Sequence, residues 1–63
     1  MQEPLGYNVY DSTLSQWWTG IGWSVSFHDA DEIDSLEKAN DIAAEQATKI
    51  DGTLYVFAVM PLP

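Results

Sequence analysis

Leu36, Ala39, Ala43, Ala47 and Ile50 recur at three- and four-residue steps, with Ile42 at the margin. That spacing lines up one narrow apolar stripe on a helix, and it predicts a helix from Asp34 to Ile50. Asp34-Ser35-Leu36-Glu37 reads as its start. The Asp34 carboxylate would accept a free amide of the first turn while Glu37 reaches back to the amide of the cap. Asp51-Gly52 reads as its stop, the glycine supplying the left-handed conformation common after a helix. Because the stripe is mostly alanine, the helix can lie close against a sheet.

Strand patterns flank this helix. Thr53-Leu54-Tyr55-Val56-Phe57-Ala58-Val59-Met60 is β-branched and aromatic, apolar on both faces, and stopped by Pro61; it suits a strand covered or paired on each side. Upstream, Ile21, Trp23, Val25 and Phe27 alternate with Gly22, Ser24, Ser26 and His28, the period of a strand with one buried face. Gly6-Tyr7-Asn8-Val9-Tyr10 is a shorter strand that runs into the turn-prone Asp11-Ser12-Thr13. Residues 11–19 fit either a long loop or the early part of a long second strand. The predicted fold is α+β with order ββαβ: a three-stranded antiparallel sheet with one helix packed on one face. Without repeats, linker or low-complexity stretch, residues 1–63 read as one domain.

Composition limits what this fold can do. A chain of 63 residues buries only about 60% of the surface its unfolded form exposes. With no cysteine, its aromatics must supply the core that disulfides supply elsewhere. No stretch approaches the roughly 18 apolar residues of a membrane span. Met1-Gln2-Glu3-Pro4 has neither the basic nor the apolar region of a secretory signal, so a cytoplasmic location is expected.

Charge narrows the class further. Ten acids face only Lys38 and Lys49, a net charge of −8. Nucleic-acid backbones and anionic membranes are bound through Lys and Arg that neutralise them, so neither is an expected partner. Acidity alone also fits solubility, resistance to self-association or a salt-rich setting.

The acids run through His28-Asp29-Ala30-Asp31-Glu32-Ile33-Asp34 and continue as Glu37, Asp41 and Glu45. Counted from Asp29, Ile33 and Asp34 stand where an EF-hand loop needs a ligand and a glycine. His28 with Asp31 or Glu32 gives too few ligands for zinc. A solvated run of acids offers no contrast of environment to separate two carboxyl pKa values for acid–base work, and no nucleophile or phosphate-loop motif accompanies it. The expectation is a non-enzymatic protein with no metal and no cofactor. On the helix, Glu37, Asp41 and Glu45 form a row about 6 Å apart, opposed by favourable Asp34–Lys38 and Glu45–Lys49 spacings. With Asp29, Asp31 and Glu32, the row reads as one continuous negative track leading from the end of the sheet.

All three tryptophans fall in Gln16-Trp17-Trp18-Thr19-Gly20-Ile21-Gly22-Trp23. In a continuous strand Trp17 and Trp23 share parity with Ile21, Val25 and Phe27 and face the core, which leaves Trp18 outward; in the loop reading one of Trp17 and Trp18 folds inward and the other is left partly exposed. An outward tryptophan is a common interface anchor; here Trp18, with Tyr10, would play that part.

From about Trp17 to Pro63 the chain resembles, in layout, the small bacteriophage-encoded inhibitors of host machinery, and is most similar to the coliphage inhibitor of bacterial RNA polymerase. The likeness lies in an aromatic hairpin, a polar step, a capped helix with alternating acids and alanines, a glycine, and a last strand ending Val59-Met60-Pro61. It implies a three-stranded sheet with one helix, and binding to the polymerase through last-strand arginines and a negative strip that disturbs DNA placement. Ala58 and Met60 stand here where those arginines would fall.

The expected function is a phage-encoded inhibitor of a host nucleic-acid-processing protein, such as RNA polymerase, a nuclease, or a restriction or CRISPR effector. Partly mimicking nucleic acid, it would occupy the partner's basic surface through Asp29, Asp31, Glu32, Asp34, Glu37, Asp41 and Glu45, anchored by Trp18 and Tyr10. The alternative is a virion or accessory assembly subunit acting by strand pairing or homodimerisation through Leu54 to Met60.

Overall fold

The computed structural model describes residues 3–62. Met1, Gln2 and Pro63, and with them part of the Met1–Pro4 stretch read above, lie outside the described residues. Four strands, β1 (Gly6–Asp11), β2 (Gln16–Trp18), β3 (Trp23–Ser24) and β4 (Leu54–Val59), form one antiparallel sheet in the order β3-β2-β1-β4. A 3-10 turn at Phe27–Asp29 and helix α1 (Leu36–Ala47) separate β3 from β4. The α+β class and the single helix across one sheet face agree with the sequence pattern. The sheet has four strands rather than three, because residues 11–19 are neither loop nor one long strand.

Asp11 makes that difference. Its carboxylate accepts from the Thr13 backbone N–H (2.9 Å) and from Gln16 Nε2 (3.0 Å). The first bond turns the chain at once, as short acidic side chains do through their own backbone two residues on. The second locks the Asp11–Gln16 pair of β1 and β2. Ser15, with φ of 52°, closes the turn. A second reversal follows at Thr19–Gly22, where Thr19 N–H donates to the Gly22 carbonyl (2.9 Å) and Thr19 Oγ1 accepts from Gly22 N–H (3.1 Å). The long strand expected over Ile21–His28 therefore reduces to Trp23–Ser24, with Ile21 at the solvent-exposed hairpin tip and Val25 exposed beyond the strand.

The core lies between the sheet and α1. Val9, Ile33 and Ala39 are buried, with Tyr7, Trp18, Trp23, Ile42, Ala43 and Val56 packed around them. Ala39 lets the helix approach β1, as its small size suggests. Ile33 joins the sheet through reciprocal backbone bonds with Tyr7 (2.7 and 2.8 Å), continuing the lane that β2 leaves at Trp18. Gln46 is buried on the helix while Leu36 is half exposed and Ala47 exposed, so the inward stripe is rotated from the one the apolar residues alone define.

Both helix ends also differ from expectation. Ser35, in extended conformation, is the N-cap, its Oγ accepting from Lys38 N–H (3.1 Å). Asp34 instead pairs through its side chain with Lys38 Nζ (3.2 Å). At the other end Thr48 caps in a right-handed conformation, its Oγ1 donating to the Glu45 carbonyl (2.7 Å). Gly52 does not terminate the helix in a left-handed conformation: among the described residues positive φ occurs only at Ser15 and Gly20. Its role is close approach, since a Cβ at residue 52 would lie 2.6 Å from Asp11 Oδ1.

Two contrasts between variants, at the helix start and at the glycines, are measurable by urea denaturation. Ser35→Ala loses about 1 kcal/mol with the N-cap bond, whereas Asp34→Ala, which loses one exposed ion pair, changes stability by less than about 0.5 kcal/mol. Gly52→Ala costs roughly 1–3 kcal/mol, because the buried Asp11 carboxylate cannot move aside. Gly22→Ala, where a Cβ meets nothing within 4 Å, is neutral or slightly stabilising.

Candidate functional site

One helix covers one face of this sheet, and the register tells which residues stand on the other. Tyr10 is opposite Trp17 across β1–β2 and opposite Tyr55 across β1–β4; Asn8 is opposite Phe57, Gly6 opposite Val59, and Trp17 opposite Ser24. Directly opposed residues share a face, and Val9 on the alternate parity is in the helix-side core. The uncovered face thus carries Tyr10, Trp17, Tyr55, Phe57 and Val59.

The rings on it touch one another. Trp17 lies 4.5 Å from Tyr10, 4.9 Å from Phe27 in an edge-on arrangement, and 6.1 Å from Phe57, all between ring centroids. Phe57 in turn is 6.0 Å from Tyr10 and 6.2 Å from Tyr55. These separations are those of interacting aromatic pairs. Phe27, Tyr55 and Phe57 nonetheless remain 57%, 50% and 46% exposed. Such a connected apolar patch on a small protein marks an interaction surface more often than isolated exposed side chains do.

Beyond the aromatic platform, toward the Gly6 end of β1, the face dips into a hollow of about 270 Å³ lined by Asn8, Phe27, His28, Ala30, Glu32 and Val59. Asn8 is buried beneath the segment that follows β3, its Nδ2 donating to the Asp31 carbonyl (2.9 Å). Glu32 overlies Gly6, whose absent side chain leaves it room. Asp29 stands at the same side of the sheet, accepting from Ser24 Oγ (2.7 Å).

The structure corrects the tryptophan assignment. Trp18 packs against the core, edge-on to Trp23 at 5.4 Å, and is not the outward ring; Trp17 takes that place. Parity fails across Thr19–Gly22 because a hairpin sets Trp18 directly opposite Trp23. Trp23 is on the core side, as its pattern suggests, and Tyr10 is on the open face. Phe27, expected on the buried face of its strand, lies instead in the 3-10 turn and is more than half exposed, and Tyr55 and Phe57, to which no site was assigned, join it on the open face. The signal for two of them was present: a last strand apolar on both faces, in a chain with one helix, must leave one of those faces uncovered.

The acids do not form one continuous track. Asp29 and Glu32 border the open face, Asp31 sits half-buried beside Gly20 of the hairpin, and Glu37, Asp41 and Glu45 are exposed on α1 across the sheet. Lys38 is paired with Asp34 and Lys49 with Glu45, each at 3.2 Å and exposed. Among the described residues no cluster of three or more histidines and acids is arranged to hold a metal. None of their helices is long and apolar enough to cross a membrane.

Comparison with protein-family models, with curated proteins and with solved structures gave no match for this chain.

Trp18→Ala is expected to open the core and cost about 3 kcal/mol or more. Trp17→Ala loses only its surface ring contacts, on the order of 1–2 kcal/mol. Urea denaturation followed by circular dichroism distinguishes them, and the reverse order would contradict the assignment.

Proposed function

We propose that this chain is a non-enzymatic inhibitor, phage-encoded, that docks on the basic surface a host protein uses for nucleic acid and occupies that surface itself. The observation carrying the proposal is the distribution of charge. Both lysines of the chain are paired, with Asp34 and Glu45, so Asp29 and Glu32 beside the open face, Asp31 by the hairpin, and Glu37 and Asp41 on α1 place negative charge on both sides of the sheet with no lysine or arginine paired to it. Charge arranged in this way raises association rate and selects a partner of opposite sign. The aromatic face contributes the apolar area that electrostatics alone lacks, with Trp17 and Tyr10 as anchors of the kind that dominate interface energies. RNA polymerase, nucleases, and restriction or CRISPR effectors have basic surfaces of this kind. The layout shared with the coliphage polymerase inhibitor supports the class of function. The alanine and methionine at positions 58 and 60 separate this chain from that inhibitor's mode of attachment.

A second reading, assembly through strand pairing, draws on one observation: β4 is an edge strand of the sheet, and edges with apolar faces invite another strand. Under that reading the isolated protein is itself a dimer.

Capture from bacterial lysate at low and at moderate salt tests the first reading. The retained protein is expected to be basic, to be lost steeply as salt rises, and to be displaced by duplex DNA. Glu37→Lys combined with Asp41→Lys should weaken capture roughly tenfold or more without altering the fold. Retention indifferent to salt, DNA and charge reversal would sink the proposal, and a concentration-dependent dimer in sedimentation would favour the second reading instead.

A further inference from the structure

The hollow on the open face has a chemistry of its own. It is lined by apolar Phe27, Ala30 and Val59 and by polar Asn8, one carboxylate, Glu32, and one imidazole, His28. At about 270 Å³ it is smaller than the roughly 300–1,000 Å³ that drug-sized ligands and cofactors fill. One long side chain matches it better. Phe27 holds its ring edge-on to Trp17 and is more than half exposed, so a ring face stays open to a ligand.

We propose that this hollow receives an arginine side chain from the partner protein. The aliphatic stem lies along Val59 and Ala30, the guanidinium stacks on Phe27, and its N–H groups donate to the Glu32 carboxylate. Arginine is favoured over lysine because its planar head can stack on an aromatic ring and fork onto a carboxylate together. The long-range field favours a cation as well, since the chain carries a net −8 and Asp29 borders the same face. A second copy of this chain is a poor occupant: it has no arginine, and both lysines are paired, with Asp34 and Glu45. The proposal rests on the reading that the partner surface is basic, and adds which face of this protein meets it.

The test is a heteronuclear NMR titration of the intact chain with N-acetylarginine amide, and in parallel with its lysine and citrulline analogues. The arginine compound is expected to move the amide signals of Asn8, Phe27, Ala30, Glu32 and Val59 first, and to bind roughly threefold or more tighter than citrulline, which has its shape without its charge. Glu32→Gln should abolish that preference. Phe27→Leu, which keeps apolar volume but removes the ring, should lower arginine affinity toward that of lysine. Asp51→Asn, an exposed charge outside both the hollow and the acidic residues named above, should leave the preference for arginine over citrulline unchanged, and dispersed spectra confirm that each variant folds. Equal binding of citrulline, indifference to Glu32→Gln, or shifts spread evenly along α1 would overturn the proposal. Failure here with salt-sensitive lysate capture intact would remove the hollow and leave the basic-partner reading standing; arginine binding without such capture would do the opposite.

Discussion

A single buried carboxylate organises this small sheet. Asp11 is 1% exposed, yet it ends β1, turns the chain through Thr13, grips Gln16 of β2 and leaves room for only a glycine at position 52. A charged group removed from water is costly unless its oxygens are satisfied, and here both accept hydrogen bonds from within the fold. The neighbouring bonds continue the knot: Ser12 N–H and Oγ donate to the Thr53 carbonyl and Thr13 Oγ1 accepts from Thr53 N–H. The start of β4 is thereby fastened to the hairpin between β1 and β2. In a chain without cysteine this corner joins distant segments as a disulfide would, by polar contacts.

The arrangement of the surface follows from a shortage of covering elements. One twelve-residue helix cannot shield both sides of a four-stranded sheet. The side it shields takes the aliphatic residues and two tryptophans; the other keeps its rings in view. Half-exposed aromatics are tolerable on so acidic a molecule because net charge keeps copies apart. Surface charge and open face are in this sense linked, because repulsion between like molecules lets the rings stay in view.

Much of this was legible in the sequence. The helix existed within a few residues of its expected limits, β4 stood where its β-branched run placed it, and Trp23 faced the core. What the pattern missed has local causes. Ser35 and Asp34 are both competent caps, and their order in the chain does not say which adopts the extended conformation. The tryptophan faces depended on whether a turn lay at Thr19–Gly22, since periodicity carries no information across a reversal. Asp11 read as a turn former, which it is, while its burial depended on Gln16 and Gly52, residues whose meeting no periodicity reports. The acidic series was visible residue by residue. Its division between two sides of the sheet depended on the path of residues 27–33, which have no regular repeat to follow.

The strand order carries a consequence for how the molecule comes into being. β1, near the start of the described chain, has β4, near its end, as its outer neighbour, paired from Gly6–Val59 to Asp11–Leu54. Closing so long a loop must precede any gain from those pairings. A nascent chain still lacking its final dozen residues therefore has β1 unpaired along one side and Gly52 not yet set against Asp11. Without β4 the interior strand β1 keeps one side unpaired and Asp11 loses the segment that Gly52 leads into, so a break in the chain after α1 is expected to weaken the sheet at its centre and not merely at its rim.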